Sequence, residues 1–379
     1  MSYTIKSQPT TPNCTYTNLV YNVSSSNATE PQFNYIMDVY VSGSSTRLAR
    51  IRQFPNPSLE AVFDPSRIFN DNIDYDPSNL LEADIVENPT LPAGAPTAKG
   101  KHFSVEFGEE YGTSPSSSLT VSASIAQDLI EVFPCQVDPN NGTGYNFLGG
   151  LIPTGSGTIL SDRPNDIDDF EGGQFKMSFF NNTAGVLQTT ASYSIQGTDY
   201  EDVSPGKAVS IANVFTPQAG ETLTITFNGE SITRTFQQIC EYPAYNFMFI
   251  NKYGMWENFA TNLPVRGNVG IDKQRYEQTF VNYASDGAYD VKRRGETNYS
   301  TGITENLTIS TDWLSQEAAQ WITQLIESDE VYVAVSPNNT VFKPIVITNA
   351  SYVQNTGRKD QKTFMYDITF RYANQRIGR

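Results

Sequence analysis

The segment from Thr222 to Phe236 places the strongest constraint on the fold of this chain. Polar and apolar residues alternate along 222–227 and again along 231–236, and a period of two residues is typical of a β-strand with one buried face. Asn228 and Gly229 stand between the two runs, and both residue types tolerate the positive φ angles of a tight type I′ turn. The segment therefore predicts a β-hairpin, and comparable runs along the chain predict a mainly β fold.

The amino-acid composition indicates several small cores. Hydrophobic residues make up 38% of the 379 residues, which is below the ~45–50% of an average globular domain, a figure that also counts Gly. Aromatic residues reach 12%, with 21 Tyr and 22 Phe, which is more than a disordered chain contains. Thin two-layer β-domains with large polar surfaces account for both observations.

We predict four regions from the spacing of these runs. They are an N-terminal β-sandwich at 1–111 with a long acidic loop at 71–98, a Gly/Ser/Pro-rich connector at 112–165, a second β-sandwich at 166–240, and an α+β C-terminal domain at 241–379. Closely spaced strands with turns between them suggest tandem sandwiches of the immunoglobulin or fibronectin type III kind. Long irregular segments are often contact elements, so the acidic loop and the connector are the candidate interface elements.

Two helical segments are predicted. In the C-terminal domain, apolar residues recur with the spacing of one helix face and predict one main helix; they are Leu314, Ala318, Trp321, Ile322, Leu325 and Ile326. Thr311 or Asp312 is expected to cap this helix. A shorter helical turn is expected with Asp64 as its N-cap and Pro65 as its first residue.

The chain is strongly acidic, with a formal net charge of −16 and a pI of about 4.5. Binding to nucleic-acid phosphates requires clustered Lys and Arg, and the densest basic run is only Lys292-Arg293-Arg294. We interpret that run as a solvated turn or an intersubunit contact, and we predict no nucleic-acid partner. The first residues lack the pattern of a signal peptide, and no stretch approaches the length of an apolar membrane span. We therefore expect synthesis in a cytoplasm and no membrane insertion.

The three cysteines are Cys14, Cys135 and Cys240. They form no Cys-x-x-Cys pair, and an odd number argues against a disulfide framework. We expect reduced, buried thiols, with a Cys135–Cys240 bridge as the alternative.

The sequence offers little of what catalytic sites need. The single histidine, His102, opens a predicted strand and is interpreted as an exposed strand residue, and no serine lies in a Gly-x-Ser-x-Gly context. Zinc ligands at a set spacing are missing, and the Gly-rich stretch at 145–157 matches no nucleotide-binding loop. We therefore predict no enzymatic activity, no catalytic residues, no metal site and no cofactor.

Carboxylates are concentrated in the stretch at 162–171. Their oxygens suit calcium, but an EF-hand loop has Gly at its sixth position and Glu at its twelfth, and this order is not matched. We interpret the stretch as a solvated acidic loop, with calcium binding as the alternative. Its acidic residues are Asp162, Asp166, Asp168, Asp169 and Glu171.

Three tryptophans raise the question of sugar stacking. Trp313 and Trp321 lie eight residues apart, near one face of the predicted helix, and are interpreted as core residues. Trp256 lies beside Gly254 and near Phe259, and it is the candidate surface aromatic.

Several short motifs carry a family resemblance. A Cys-x-Tyr-x-x-Tyr element at 240–245 runs into a strand, which is followed by Asn-Lys-Tyr-Gly at 251–254 and then by Trp256. This arrangement resembles a pattern in uncharacterised virion proteins of tailed phages, many of them from phages of Bacteroidetes hosts or from marine phages. Further elements that are similar to this group lie at 35–41, 55–57, 62–64, 312–315, 328–332 and 344–347.

The resemblance implies a structural component of a phage particle, such as a tail, baseplate or fibre-attachment protein. We expect synthesis in the host bacterial cytoplasm, a final location in the virion, and a homo-oligomer that acts through interfaces with itself and with other virion proteins. The alternative is a carbohydrate-binding or host-adhesion module that contacts a host surface glycan through Trp256 and Tyr253. A third possibility, a glycan-degrading enzyme, requires two carboxylates ~5–10 Å apart in a cleft.

Overall fold

The computed structural model describes fifteen stretches of the chain. They are residues 3–9, 13–73, 101–133, 135, 158–173, 176–181, 185–191, 199–203, 207–212, 218–227, 230–239, 241–277, 295–335, 338–348 and 363–374. Within them the fold is mainly β, as the alternating runs predict. Most of the acidic loop at 71–98, the basic run at 292–294 and Cys240 lie outside the described residues. No helix of the described stretches is both long and apolar enough to cross a membrane.

The amino-terminal part forms two sheets. Its elements are β1 (Tyr3–Ser7), β2 (Asn13–Cys14), β3 (Tyr21–Ser25), β4 (Asn34–Val41), β5 (Arg47–Gln53), β6 (Glu60–Phe63), α1 (Ser66–Asn70), β7 (Lys101–Tyr111) and β8 (Thr120–Phe133). One sheet has the strand order β1-β3-β6, and the other has the order β2-β8-β7-β4-β5. We refer to the second as the amino-terminal five-stranded sheet.

Both sheets contribute to one hydrophobic cluster. Alternate residues of β4 and β7, such as Met37 and Val105, point into it together with Tyr21 and Phe63 from the other sheet. Aromatic rings fill much of this core, and Phe69 of α1 packs against Phe103 with ring centroids 4.6 Å apart. The period of two along these strands therefore separates a buried face from an outer face.

The prediction of a connector at 112–165 is wrong for residues 120–133. These residues form β8, which pairs with β7 from Tyr111↔Thr120 to Lys101↔Val132. Small and polar residues dominate the first half of β8, so its composition is that of a loop. Its pairing with β7 and the inward-facing Ile130 and Val132 make it a strand.

The short helix α1 begins one residue later than predicted. Its N-cap is Pro65, with no side-chain cap. The Asp64 carboxylate instead accepts hydrogen bonds from the backbone N–H groups of Leu19 (3.1 Å) and Ser66 (3.1 Å). The Asp64 carboxylate thus links Leu19 to the start of α1 and satisfies a backbone N–H group at that end of the helix.

The middle part also forms two sheets. Its strands are β9 (Thr158–Ile159), β10 (Asp169–Phe170), β11 (Lys176–Asn181), β12 (Gly185–Ala191), β13 (Asp199–Val203), β14 (Lys207–Ala212), β15 (Thr222–Phe227) and β16 (Glu230–Gln237). The strand orders are β10-β16-β15-β12-β13 and β14-β11-β9. The predicted hairpin is confirmed, because β15 and β16 pair from Thr222↔Thr235 to Phe227↔Glu230.

The carboxy-terminal part combines one sheet with one helix. Its elements are β17 (Tyr245–Ile250), β18 (Trp256–Thr261), β19 (Arg266–Glu277), β20 (Glu296–Ser310), α2 (Gln316–Glu327), β21 (Val331–Val335), β22 (Asn338–Ile347) and β23 (Asp367–Tyr372). The seven strands are ordered β18-β17-β21-β22-β23-β20-β19. Trp321, Ile322 and Leu325 of α2 are buried in a cluster with Phe247 and Phe370 of the sheet, so the predicted helix face is confirmed.

The predicted cap of this helix is wrong. Ser315 is the N-cap, and its hydroxyl accepts a hydrogen bond from the backbone N–H of Ala318 (3.1 Å). The Thr311 hydroxyl is occupied elsewhere, because it accepts from the backbone N–H of Tyr366 (3.0 Å). Asp312 has a φ of 67°, which places it in the chain reversal before the helix.

The expectation of reduced thiols is also wrong, as is the alternative Cys135–Cys240 bridge. Cys14 and Cys135 form a disulfide across 121 residues, with their Cα atoms 4.8 Å apart. The reason is the parallel pairing of β2 with the end of β8, where Cys14 lies opposite Phe133. Both cysteines are fully buried.

We predict that the Cys14→Ala/Cys135→Ala double variant loses ~2–5 kcal/mol of unfolding free energy, because the bridge closes a long loop in the unfolded chain. Urea unfolding of the oxidised protein, followed by circular dichroism, measures the loss. The control is reductant, which should shift the unfolding midpoint of the parent protein and leave that of the variant unchanged. A parent midpoint that does not respond to reductant would contradict the bridge.

Candidate functional site

The first candidate site is a buried polar cluster where the middle part meets the carboxy-terminal sheet. Strand β18 lies at one edge of that sheet, and all of its residues are buried. Strands β10 and β11 lie against it. We call the polar side chains gathered here the junction cluster; they are Ser161, Arg163, Asp169, Arg234, Asn251, Glu257, Asn258 and Trp321.

Asp169 lies at the centre of the cluster. Its carboxyl accepts from both terminal nitrogens of Arg163 (3.2 and 3.0 Å), from Arg234 (3.4 Å) and from the side-chain amide of Asn258 (3.0 Å). Burial raises the pKa of Asp169, and the nearby Arg163 guanidinium and the Asn258 amide oppose that shift. The two arginines stay protonated in proteins, so this carboxyl is the acidic group that faces two buried cations.

Arg163 connects the two parts of the chain. Its guanidinium also donates to the backbone carbonyls of Ile167 (2.9 Å) and Asn258 (3.1 Å). It lies over the ring of Trp321, 5.5 Å from the centroid, within the distance of a cation–π contact. One side chain from the loop before β10 therefore contacts β18 and α2 at once.

Glu257 of β18 is the second buried carboxyl. It accepts from the side-chain amide of Asn251 (3.1 Å), from the indole N–H of Trp321 (3.1 Å) and from the Ser161 hydroxyl. Burial raises the pKa of Glu257 from 4.5 to about 7, although these hydrogen bonds oppose the shift. Its protonation state therefore changes within the physiological pH range.

Asn251 links this carboxyl to the turn between β17 and β18. Its side-chain oxygen accepts from the backbone N–H groups of Tyr253 (3.0 Å) and Met255 (3.1 Å), and its amide donates to the backbone carbonyl of Leu160 (2.8 Å). Gly254 completes the turn with a φ of 78°, a conformation that favours glycine. The sequence Asn-Lys-Tyr-Gly at 251–254 thus positions the turn against the middle part.

The junction cluster holds the middle part against strand β18 and helix α2. Each of its two carboxyls is surrounded by donors from its own chain, and buried polar networks of this kind fix one relative arrangement of the segments they join. Its outer rim carries a second contact, in which Lys252 pairs with Asp162 at 2.6 Å and Gln324 donates to the same carboxylate at 2.9 Å.

The second candidate site is a projecting two-stranded ribbon. Strand β20 pairs with β23 only from Leu307 to Ser310, whereas β19 and β20 continue to pair from Asn268↔Asn306 to Glu277↔Glu296. We call residues 268–277 and 296–306 the ribbon. At ~3.3 Å per residue it extends about 33 Å beyond the sheet. Every residue of β19 is exposed.

The ribbon exposes apolar side chains on both of its strands. Val269 and Ile271 are 54% and 59% exposed, and Tyr276 and Tyr299 are 46% and 63% exposed. Ile271 lies opposite Ile303 in the pairing, and the two tyrosine rings lie 6.2 Å apart. Val269 and Ile271 are alternate residues of one strand and lie beside Ile303, and an exposed apolar patch of this kind marks an interaction site.

The third candidate site is a groove on the outer face of the amino-terminal five-stranded sheet. It has a volume of about 370 Å³ and is lined by Tyr40, Ser42, Gly43, Ser44, Ser45, Ser104, Glu106, Gln127 and Leu129. An apolar stripe along and just before β8 continues from it through Leu119, Val121 and Ile125. We call the groove and this stripe the acceptor face.

The residues that the sequence singled out do not form one site. His102 is about half exposed, with its nearest ring nitrogen 3.8 Å from the Glu131 carboxylate, as expected for a strand histidine. The acidic stretch at 162–171 is not simply a solvated loop, since Asp169 is buried and Asp162 pairs with Lys252. In the described part of the chain, no group of three His, Cys, Asp or Glu side chains is placed to hold a metal ion.

The tryptophan predictions are correct for one residue of three. Trp321 is a core residue, as predicted. Trp256 is only 4% exposed and packs edge-on against Tyr332, with ring centroids 5.7 Å apart, so the prediction of a surface aromatic is wrong. Trp313 is 65% exposed because it precedes the helix, and the helical spacing that linked it to Trp321 does not apply.

Sequence reasoning missed Arg163, Arg234 and Glu257. Arg163 stands inside the acidic stretch that was considered for calcium. A basic residue within a run of carboxylates is a signal for an internal ion pair. Arg234 lies between Ile232 and Phe236 on the apolar face of a predicted strand, and a charged residue at such a position is a signal for a buried ion pair.

We predict that Asp169→Asn lowers the unfolding free energy by ~3–5 kcal/mol, because it removes the carboxylate that two buried guanidinium groups share. Asp162→Asn is the matched control, since it removes a half-exposed partner of Lys252 and should cost less than ~1 kcal/mol. Chemical unfolding at pH 7 measures both changes. Equal losses for the two variants would show that the Asp169 cluster does not hold the junction.

We predict a pH dependence that belongs to Glu257. Because its pKa is about 7 in the folded protein and 4.5 as a free group, its contribution to stability is fully present below pH 4.5 and is lost as the pH rises through 7. The shift corresponds to about 3 kcal/mol. In Glu257→Gln the amide can donate to the Ser161 hydroxyl and keep the other two bonds, so this pH dependence should disappear.

Unfolding free energies of the parent and of Glu257→Gln, measured from pH 4 to pH 8, test this prediction. The stability difference between the two proteins should change by about 3 kcal/mol across that range. A constant difference would mean that Glu257 titrates normally in the folded protein.

The chain was also compared with known proteins. No protein-family model matches it, and no curated protein shows significant sequence similarity to it.

Proposed function

We propose that this chain is a structural component of a phage particle: a homo-oligomeric tail, baseplate or fibre-attachment protein that acts through protein–protein interfaces. The observation that carries the assembly role is the ribbon. The assignment to phage particles is supported by the motif resemblance alone. The proposed location is the virion, after synthesis in the host bacterial cytoplasm, and the proposed partners are further copies of the chain and other virion proteins.

A ribbon of this kind is energetically unfavourable in a protein that remains monomeric. An isolated two-stranded ribbon is marginally stable in water, and this one exposes Val269, Ile271, Tyr276 and Tyr299. An edge strand with free backbone groups also invites pairing with another chain. Both costs are removed when the ribbon lies against a neighbouring subunit.

The size of the ribbon fits a subunit contact. A ribbon about 33 Å long and ~10 Å wide presents roughly 700 Å² over its two faces. A standard interface buries ~800 Å² on each partner. When both of its faces are buried between neighbouring subunits, the ribbon therefore supplies most of one side of a standard interface.

The buried ionisable groups support a structural role over a catalytic one. Asp169 and Glu257 are held by donors from the same chain. Carboxyl groups that are buried and hydrogen-bonded in this way stabilise the packing of three segments. A catalytic carboxyl, in contrast, has to reach a substrate. We accordingly propose that the chain has no enzymatic activity.

We also propose a finer description of the fold. The amino-terminal sheets and the middle sheets would each be a sandwich of the immunoglobulin or fibronectin type III kind, and the carboxy-terminal sheet with α2 would be a separate α+β domain. The shared hydrophobic cluster of the amino-terminal sheets supports the first sandwich, and the cluster around α2, which also includes Ile167 of the middle part, supports the α+β unit.

The carbohydrate-binding alternative depends on Trp256 and Tyr253, and both side chains are at least partly buried. Trp256 is buried, and Tyr253 is partly buried beside Lys252, whose ammonium lies 5.1 Å from the ring centroid. Trp256 therefore offers no open face for a sugar, and Lys252 lies over the ring of Tyr253. We therefore place the assembly role first.

We predict that Ile271→Asp dissociates the oligomer. Placing a carboxylate in an apolar contact should cost at least ~3 kcal/mol, which corresponds to roughly a hundredfold rise in the dissociation constant. Size-exclusion chromatography with light scattering over a range of protein concentrations measures the change. Circular dichroism should show an unchanged fold, because exposed positions tolerate substitution.

The matched control is Phe54→Ser, which removes a side chain that is 77% exposed and lies outside the ribbon. It should leave the oligomer intact. A parent protein that stays monomeric at high concentration would contradict the proposed assembly role, and equal effects of both variants would remove the ribbon as its cause.

A further inference from the structure

We propose that the groove of the acceptor face binds a neutral saccharide, with Tyr40 as its aromatic contact and Glu106 and Gln127 as its hydrogen-bonding groups. This inference goes beyond the proposed function and does not depend on it, because no residue of the ribbon lines the groove. The site also differs from the one considered from the sequence, which placed a saccharide against Trp256 and Tyr253.

The floor of the groove is built by two neighbouring rows of side chains on one face of the sheet. Tyr40 of β4 lies opposite Ser104 of β7, and Ser104 lies opposite Leu129 of β8. In the next row, Glu106 lies opposite Gln127. The Cβ atoms of directly opposed residues stand ~4.5–5.5 Å apart, and alternate residues of one strand are ~6.6 Å apart. One small molecule can therefore contact both rows.

The turn after β4 forms a wall of the groove. The backbone N–H of Ser44 donates to the carbonyl of Val41 (2.9 Å), and Gly43 has a φ of 79°, which glycine adopts without strain in such a turn. The backbone N–H of Ser42 donates to the carbonyl of His102 (2.9 Å) and so connects the turn to β7. The serine hydroxyls of this turn therefore stand beside the floor on a backbone that is held in place.

The hydrogen-bonding groups of the floor are oriented by contacts within the sheet. The side-chain amide of Gln127 donates to the Ser104 hydroxyl at 2.7 Å, which leaves the amide oxygen as an acceptor and the Ser104 proton as a donor. Glu106 interacts electrostatically with Tyr40, and its carboxylate has about four lone-pair sites, so it can accept further hydrogen bonds. Donors and acceptors thus lie side by side, as the adjacent hydroxyls of a sugar ring require.

The charges around the groove favour a neutral ligand. Glu106 is the charged residue among those that line the groove. Asp38 lies opposite it on β4 and is buried, with Arg47 and Arg50 as its partners at 3.5 and 2.5 Å. These two carboxylates and two guanidinium groups cancel, and the charged group that reaches the groove is a carboxylate. An anionic ligand would therefore meet a like charge there.

The polarity and the size of the groove fit a saccharide. Its lining carries five hydroxyls, one side-chain amide and one carboxylate, and an apolar ligand would remove water from these groups without replacing the hydrogen bonds. Sugar hydroxyls both donate and accept, and the C–H face of a sugar ring can lie against Tyr40 and Leu129. The volume of about 370 Å³ is near the lower end of the ~300–1,000 Å³ of small-molecule sites, which suits a mono- or disaccharide.

Titration of the full chain with free sugars, followed by saturation-transfer difference NMR, tests the inference. The probes are glucose, galactose, mannose, N-acetylglucosamine, maltose, lactose and chitobiose, and we expect saturable binding of at least one of them. Glu106→Gln keeps the shape of the side chain and removes its charge, so it should raise the dissociation constant about tenfold. Tyr40→Ala removes the ring and should raise the constant at least about tenfold. Circular dichroism checks the fold, and Glu106→Gln decides the outcome if Tyr40→Ala unfolds.

Glu30→Gln and Trp313→Ala are the matched controls. Glu30 is an exposed carboxylate and Trp313 is an aromatic side chain that is 65% exposed, and both lie outside the groove. Each should change the dissociation constant less than twofold. Loss of binding in Trp313→Ala would place the saccharide elsewhere and overturn the groove site, and so would binding that Glu106→Gln leaves unchanged.

Three further results have a defined meaning. A parent protein that binds none of the sugars overturns the inference, and tighter binding of sialyllactose than of lactose overturns the neutral ligand class. Ile271→Asp, which tests the ribbon, should bind the sugar as the parent does, so failure of the assembly role and failure of the saccharide site are separate outcomes.

Discussion

The buried pairing of Asp169 with Arg163 and Arg234 is the interaction on which the arrangement of the chain depends. These side chains come from the loop before β10, from β10 and from β16, and they meet Asn258 of β18. The middle part thereby covers one edge of the carboxy-terminal sheet. The other edge of that sheet ends in β19, whose residues are exposed. The polar junction therefore decides which edge of the sheet faces outward.

The exposed edge at β19 affects the stability of the ribbon. Pairing from Leu307 to Ser310 anchors the ribbon to β23, and Arg275 pairs with Glu296 at 3.0 Å further along. Both of these charged groups are about half exposed, so the ion pair adds little stability. Among the described residues, backbone pairing between two strands is then the main internal support of the ribbon. Surface buried against another molecule would add hydrophobic stabilisation.

Elements formed by residues that are close together in the sequence could be predicted from local sequence patterns. The hairpin of β15 and β16 follows from alternation around Asn228-Gly229, and the buried face of α2 follows from the spacing of Ala318, Trp321 and Leu325. The cap of α2 was misjudged because a tertiary bond to Tyr366 occupies the Thr311 hydroxyl. Tertiary contacts overrule local preferences of this size.

Features that depend on distant parts of the chain were not predictable in this way. The Cys14–Cys135 disulfide follows from parallel pairing of β2 with the end of β8, and a single sequence carries no record of that pairing. Asp169 was misread because Arg234 and Asn258, its partners, lie 65 and 89 residues away. The ribbon was missed for a different reason, since periodicity in a sequence does not reveal whether both faces of a strand pair are exposed.

A buried ionic junction is an expensive way to hold two segments together, and apolar residues of the same volume often give more stability. Its advantage is geometric, because Asp169 accepts its hydrogen bonds in one arrangement of the partner groups, whereas an apolar contact tolerates sliding. We infer that accuracy of orientation matters more here than stability. In the proposed assembly, an angular error in one subunit displaces its contact with the next one. A ribbon that projects about 33 Å from the sheet converts a small rotation at its base into a displacement of several ångströms at its tip. A rigid polar junction at the opposite edge of the same sheet limits that rotation.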